Sequence, residues 1–200
     1  ALPPSAALKQ AADLLLAARR PVLYGGGGLI NAGPGACAAF TQLARRLHLP
    51  TTLTLMGLGA FPASDPRFLG MLGMHGTLEA NQAMHHADLI VCVGARFDDR
   101  VTGKLSDFAP RAKKIHLDID AKNINKVVAV DVALLGDCGA VLDALMSSLP
   151  VELPAATRLD DTAADHAATN GRTCERRSDS MAAGLSGRTG APRRARRGGR

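Results

Sequence analysis

The chain has 200 residues, 46% of them hydrophobic and 3% aromatic, with no Trp and a formal net charge of +6. That length suits one domain with a real core and a tail, and the core must be built from Ala, Val, Leu and Ile. No apolar run approaches the ~20 residues of a membrane helix. The opening Ala1-Leu2-Pro3-Pro4 has neither the basic nor the apolar stretch of a secretory signal, and without an initiator Met it reads as a chain that starts inside a longer protein.

The positive charge points to nucleic acid until it is divided by position. Residues 1–150 hold 14 Lys+Arg against 12 Asp+Glu, residues 151–200 hold 10 against 6, and six arginines follow Asp179 with no acid among them. The basicity belongs to the end of the chain, where no aromatic residue interleaves with the arginines, so a nucleic-acid partner is not expected. Cys37, Cys92, Cys138 and Cys174 are widely spaced and form no Cys-x-x-Cys. Reduced thiols in the cytoplasm are expected rather than a disulfide framework or zinc.

Taken in order, residues 5–150 alternate helix-like and strand-like segments. Ser5 is placed to cap a helix whose Leu8, Ala12, Leu15 and Leu16 fall at helical spacing. Pro21–Tyr24 reads as a buried strand running into Gly25-Gly26-Gly27-Gly28, and a helix follows over Gly35–His48. Thr51–Thr54 reads as a strand and Thr77–His86 as a helix. Asp88–Val93 is the clearest strand, Lys114–Ile119 the next and Val132–Leu135 a weaker one, before a last helix from Asp137 to Leu149. Apolar strands alternating with helices predict an α/β fold with a parallel sheet covered on both faces, whose ligands sit at the carboxyl ends of the strands. After Pro150 the periodicity stops. Residues 151–200 are expected to be a disordered Arg/Gly/Ala-rich tail, either a genuine basic extension or the product of a shifted reading frame.

The informative residues lie at those carboxyl ends. The Gly25–Gly28 run allows a backbone to approach a phosphate or simply to turn tightly; Gly-x-Gly-x-x-Gly is not matched, because Ile30 stands where the last glycine belongs, so a standard nicotinamide-dinucleotide site is disfavoured. In Leu72-Gly73-Met74-His75-Gly76, His75 reads as structural rather than catalytic, and with His85 and His86 adjacent no metal set is apparent. Gly94-Ala95-Arg96-Phe97-Asp98-Asp99-Arg100-Val101-Thr102-Gly103 is the strongest signal. There Arg96 could hold a phosphate or ring carbonyl and Asp98 could accept from hydroxyls, or the block is a salt-bridged loop. Asp118 suits a ribose hydroxyl or a turn. From the residues alone, the reading is a parallel α/β domain for a phosphorylated, hydroxyl-rich cofactor.

Leu55–Pro62, Leu72–Thr77 and Gly94–Lys104, with the spacings between them, resemble acetolactate synthase (acetohydroxyacid synthase) large catalytic subunits over about residues 5–150. The first two blocks recur in other thiamine-diphosphate enzymes such as glyoxylate carboligase; the third is far more specific. The resemblance implies a six-stranded Rossmann-like central domain over residues 1–150 that binds FAD without a net redox role. It implies FAD contacts at Gly25, Gly26, Gly27, Thr54, Leu55, Leu72, Gly73, Met74, His75, Gly94, Ala95, Arg96, Asp98, Asp118, Ile119, Asp137 and Cys138, with Asp99 and Arg100 near the mouth of the substrate channel.

For the full-length family it implies thiamine diphosphate and Mg2+ on two other domains, a homodimer or tetramer, and a regulatory small subunit. The reaction it implies is condensation of two pyruvates, or of pyruvate and 2-oxobutyrate, with loss of CO2 in branched-chain amino acid synthesis. No catalytic or metal-binding residue is expected in the 200-residue chain, which is expected to be a fragment inactive alone, or a stand-alone FAD-binding or decoy module. Two departures stand out: Asn123 replaces the family's acid after the Asp118 strand, and the fourth glycine, Gly28, is expected to loosen its loop.

Overall fold

The computed structural model describes residues 2–151, so the expected tail lies, apart from Val151, outside the described residues. Strands β1 (Pro21–Gly25), β2 (Thr51–Leu53), β3 (Phe68–Met71), β4 (Leu89–Val93), β5 (Lys113–Asp118) and β6 (Val132–Leu135) form one sheet in the order β3-β2-β1-β4-β5-β6. Every neighbouring pair is parallel. The helices are α1 (Ser5–Ala17), α2 (Gly27–Ala32), α3 (Pro34–Arg46), α4 (Leu78–His86), the single turn α5 (Asp99–Thr102) and α6 (Cys138–Ser147). The predicted α/β class and parallel sheet are therefore present, and the six strands match the number implied by the resemblance.

Two local readings need correction, and one strand is not predicted. Ser5 is the first helical residue rather than the cap: Pro4 takes the cap position and its carbonyl accepts from Ala7 and Leu8 N–H. The glycine run is not a free loop, since Gly27 and Gly28 already belong to α2. Strand β3 is not among the predicted strands, because Gly70 breaks its short apolar run of Phe68, Leu69 and Met71. Gly70 sits inside it with φ of +90°, and its register against β2 shifts between Thr51 and Leu53.

Two apolar layers sandwich the sheet. On one face Leu23, Leu53, Val91, Val93, Ile115 and Leu117 pack beneath α1, α2, α3 and α6. On the other, Val22, Tyr24, Ile90 and Cys92 meet Ala80 and Met84 of α4 and Phe97, Phe108 and Ala109 from the segment after β4. Strands β1 and β4 are buried at every position, which is why they read as continuous apolar runs rather than alternating ones. The second face also carries a polar row. Register aligns Thr52, Tyr24, Cys92 and His116 across four adjacent strands, and all four are buried.

Candidate functional site

Strand order reverses between β1 and β4, and open α/β sheets bind ligands in the crevice outside the carboxyl ends of such strands. Here that crevice is stapled by backbone. Gly26 N–H donates to the Val93 carbonyl at 3.0 Å and Gly28 N–H to the Gly94 carbonyl at 2.8 Å. A Cβ on Gly28 would stand 2.6 Å from the Gly94 Cα, and Gly94 itself has φ of +57°. Gly28 therefore anchors the turn against β4, the reverse of the loosening expected from the sequence. Gly26 and Gly28 are small because two backbones cross there; Gly27 N–H has no acceptor among the described residues.

The other blocks assemble around this crossing. Thr54 N–H donates to the Gly25 carbonyl at 2.9 Å, and the Thr54 hydroxyl accepts from Gly57 N–H at 3.0 Å, closing a short turn over Leu55–Gly57. Leu72 N–H donates to the Leu53 carbonyl at 3.0 Å. Met74 N–H donates to the Arg100 carbonyl at 3.1 Å, which joins the Leu72–His75 block to the segment after β4. Asn81, on α4, braces this junction: its amide donates to the Gly73 carbonyl at 3.1 Å and accepts from Gly73 N–H at 3.3 Å. Nothing in the sequence marks Asn81, which looks like any polar residue on a helix surface.

After β4 the side chains alternate. Ala95 and Phe97 point inward and are buried, while Arg96 and Asp98 are exposed and form an ion pair at 3.3 Å. Phe97 lies tilted against Tyr24 with ring centroids 6.1 Å apart and edge-on to Phe108 and His116 at 5.9 and 5.3 Å. Asp99 and Arg100 are exposed, and the Asp99 carboxylate accepts from Arg100 N–H at 2.8 Å.

At the end of β5, Asp118 is buried and already engaged. Its carboxylate accepts from Asp120 N–H at 2.8 Å and from the Asn123 amide at 3.2 Å on both oxygens. Asn123 is thus a donor matched to Asp118, where a carboxylate would repel it. Ile119 is exposed; Asp137 caps α6 by accepting from Ala140 N–H at 3.1 Å; Cys138 is buried in the first apolar layer. Burial, with Asp137 and Asp118 nearby, pushes the Cys138 thiol up to about 12, so it stays protonated.

His116 is fully buried, and burial holds its imidazole below the ordinary range, outweighing the Ala95 hydrogen bond and Asp118, which favour the cation. A histidine kept neutral in the fold binds its proton more tightly when unfolded. Its contribution to stability is therefore complete above the unfolded value of about 6.5 and is lost as pH falls below it. Unfolding free energies from denaturant titrations between pH 8 and pH 5 should fall with acid by at most about 1.4 kcal/mol per pH unit on this account. His116→Gln should remove that share of the slope, and an unchanged slope would contradict the assignment.

The residues fit a flavin dinucleotide in their chemistry. Leu55, Met56, Met74 and Ile119 are 68, 75, 68 and 72% exposed beyond the carboxyl ends of three strands, β2, β3 and β5, giving apolar surface for an extended ring system. Arg96 offers an exposed cation for an anionic group and Asp98 an acceptor for hydroxyls. Ala95 and Leu72, being buried, can offer only backbone.

Residues 8–145 match the family described as the central domain of thiamine pyrophosphate enzymes. The chain is 50% identical over 146 residues to the acetolactate synthase large subunit of Haemophilus influenzae, covering 72% of this chain and 25% of that protein. It is 54% identical over 142 residues to the acetolactate synthase large subunit of Parasynechococcus marenigrum, covering 70% and 22%. Against the mitochondrial acetolactate synthase catalytic subunit of Saccharomyces cerevisiae it is 46% identical over 151 residues, covering 71% and 22%. The chain thus spans about a quarter of the length of the curated relatives it matches. With a parallel sheet in the order β3-β2-β1-β4-β5-β6 and a family match over most of its length, the chain belongs to the thiamine pyrophosphate enzyme central-domain family.

Proposed function

We propose that residues 1–150 form the FAD-binding central domain of an acetolactate synthase large subunit. The observation that carries this reading is the outward Arg96–Asp98 pair on a ledge of exposed apolar side chains at the carboxyl ends of the strands. Identities of 41–54% to acetolactate synthase subunits support it. In this reading Arg96 takes an anionic or carbonyl group of the cofactor, Asp98 its hydroxyls, and Gly27 N–H a phosphate oxygen. Leu55, Met74 and Ile119 cover the rings. Gly25, Gly26, Gly94, Ala95, Leu72 and Gly73 shape the backbone floor, Thr54 and His75 border it, and Asp118, Asp137 and Cys138 support its far edge. Asp99 and Arg100 lie beside the substrate channel.

The whole enzyme would join two pyruvates, or pyruvate and 2-oxobutyrate, with thiamine diphosphate and Mg2+ held on other domains. It would act as a homodimer or tetramer with a regulatory small subunit, in the cytoplasm. Among the described residues no helix is long and apolar enough to cross a membrane.

Titration of the purified 200-residue chain with FAD, followed by flavin fluorescence anisotropy, tests the reading. Saturable binding is expected, weakened roughly tenfold by Arg96→Ala through loss of one charge-assisted contact. Binding that is absent, or indifferent to Arg96, would sink it.

A further inference from the structure

Loops at the ends of strands are usually held by their own backbone hydrogen bonds, yet the Ala95 carbonyl after β4 is held by two side chains. His116 Nε2 lies 2.9 Å from it and Cys92 Sγ 3.1 Å. Because a carbonyl can only accept, the proton of this neutral imidazole sits on Nε2. Nδ1 has no hydrogen-bond partner among the described residues, so the hydrogen bond to Ala95 is the one that fixes the ring. His116 also packs edge-on against Phe97. It therefore grips both inward residues of the alternating segment whose outward residues are Arg96 and Asp98. Ala95 is pinned from the other side by Gly26, where an added Cβ would stand 2.5 Å from the Ala95 Cα. The segment is held by Cys92 of β4, by His116 of β5 and by the close approach of Gly26 just after β1, and of the two side chains on the Ala95 carbonyl the imidazole is the one that also packs on Phe97.

We propose that His116 is a positioning residue for this site: through the Nε2–H bond to the Ala95 carbonyl it sets how Arg96 and Asp98 face an anionic, hydroxyl-bearing ligand. It touches no ligand itself. The ligand part of this inference rests on the flavin reading above; the part concerning the segment does not.

The 200-residue chain is compared with its His116→Leu and His116→Gln variants by two measurements. One is amide hydrogen exchange across residues 95–98 without ligand, and the other is FAD affinity by fluorescence anisotropy. Leu keeps bulk without a donor, whereas Gln keeps an N–H. In His116→Leu, exchange across the segment should quicken roughly tenfold, as expected for a lost buried hydrogen bond, and FAD affinity should fall by a similar factor. His116→Gln should restore both to within about threefold. Equal exchange in wild type and His116→Leu overturns the assignment whatever FAD does. A loss that Gln does not restore overturns it too, by making the effect one of packing. If the wild-type chain binds no FAD, the flavin reading fails and exchange alone decides the role of His116. If His116→Leu does not fold, 15N NMR of the wild-type ring decides: a proton on Nε2 with Nδ1 bare supports the assignment, and the opposite tautomer overturns it.

Discussion

Phe97→Ala is expected to lower stability by about 3–5 kcal/mol, the range for truncating a buried aromatic ring. The ring is 3% exposed and touches Tyr24, Phe108 and His116, so its removal opens a cavity bordered by three rings that strands β1 and β5 and the loop before β5 hold in place. Collapse into that space is resisted because Tyr24 and His116 are fixed by the sheet register. For a folding unit of roughly 150 residues the loss corresponds to a fall in Tm of about 6–20 °C, measurable by scanning calorimetry. Phe97→Leu should cost much less. A Phe97→Ala chain melting within a degree or two of wild type would mean that the segment after β4 contributes little to the fold and that the fold does not hold Arg96 and Asp98 in place.

Gly26→Ala should be nearly as damaging, although it adds one methyl group. That methyl would overlap the Gly94 carbonyl oxygen and stand 2.5 Å from both the Ala95 Cα and Cβ. Two of these are backbone atoms, which cannot rotate aside as a side-chain tip can, so β1 and β4 must part at their carboxyl ends. Overpacking of this kind costs about 1–3 kcal/mol and more when backbone must move. The expected loss is at the upper end of that range, with the Gly26 N–H bond to Val93 strained as well. Gly35→Ala is the matched control. Gly35 lies in α3 with nothing within 4 Å of its absent Cβ, and there Ala should be neutral or stabilising by up to ~1 kcal/mol. Equal Tm values for the two variants would show that the crossing of β1 and β4 is looser than the packing described here.

Much of the fold is legible along the chain because its signals are local. The buried runs at Pro21–Tyr24 and Asp88–Val93 announce β1 and β4, since strands covered on both faces are apolar throughout. Thr77, whose side chain accepts from Ala80 N–H at 3.2 Å, marks the start of α4. Strand β3 is not legible, because Gly70 interrupts it and its pairing with β2 supplies the order that its own residues lack. Helix α2 is hidden for a similar reason: its opening Gly27-Gly28 has poor helix propensity, and the hydrogen bond from Gly28 to Gly94 holds it in place.

The sequence by itself determined the α/β class, most of the elements and the motif blocks that mark the family, because periodicity, caps and spacing are properties of neighbours in the chain. Only the tertiary structure decided that Gly28 anchors rather than loosens its turn, that Asn123 suits Asp118 by donating to both of its oxygens, and that His116 and Asn81 brace the segments on either side of the ledge. For the first, third and fourth of these the deciding partner, Gly94, Ala95 or Gly73, lies in a loop beyond the end of another strand. The physical reason is that a buried polar atom or a missing Cβ acquires its meaning from what packs against it, and in a parallel sheet that neighbour comes from a distant part of the chain.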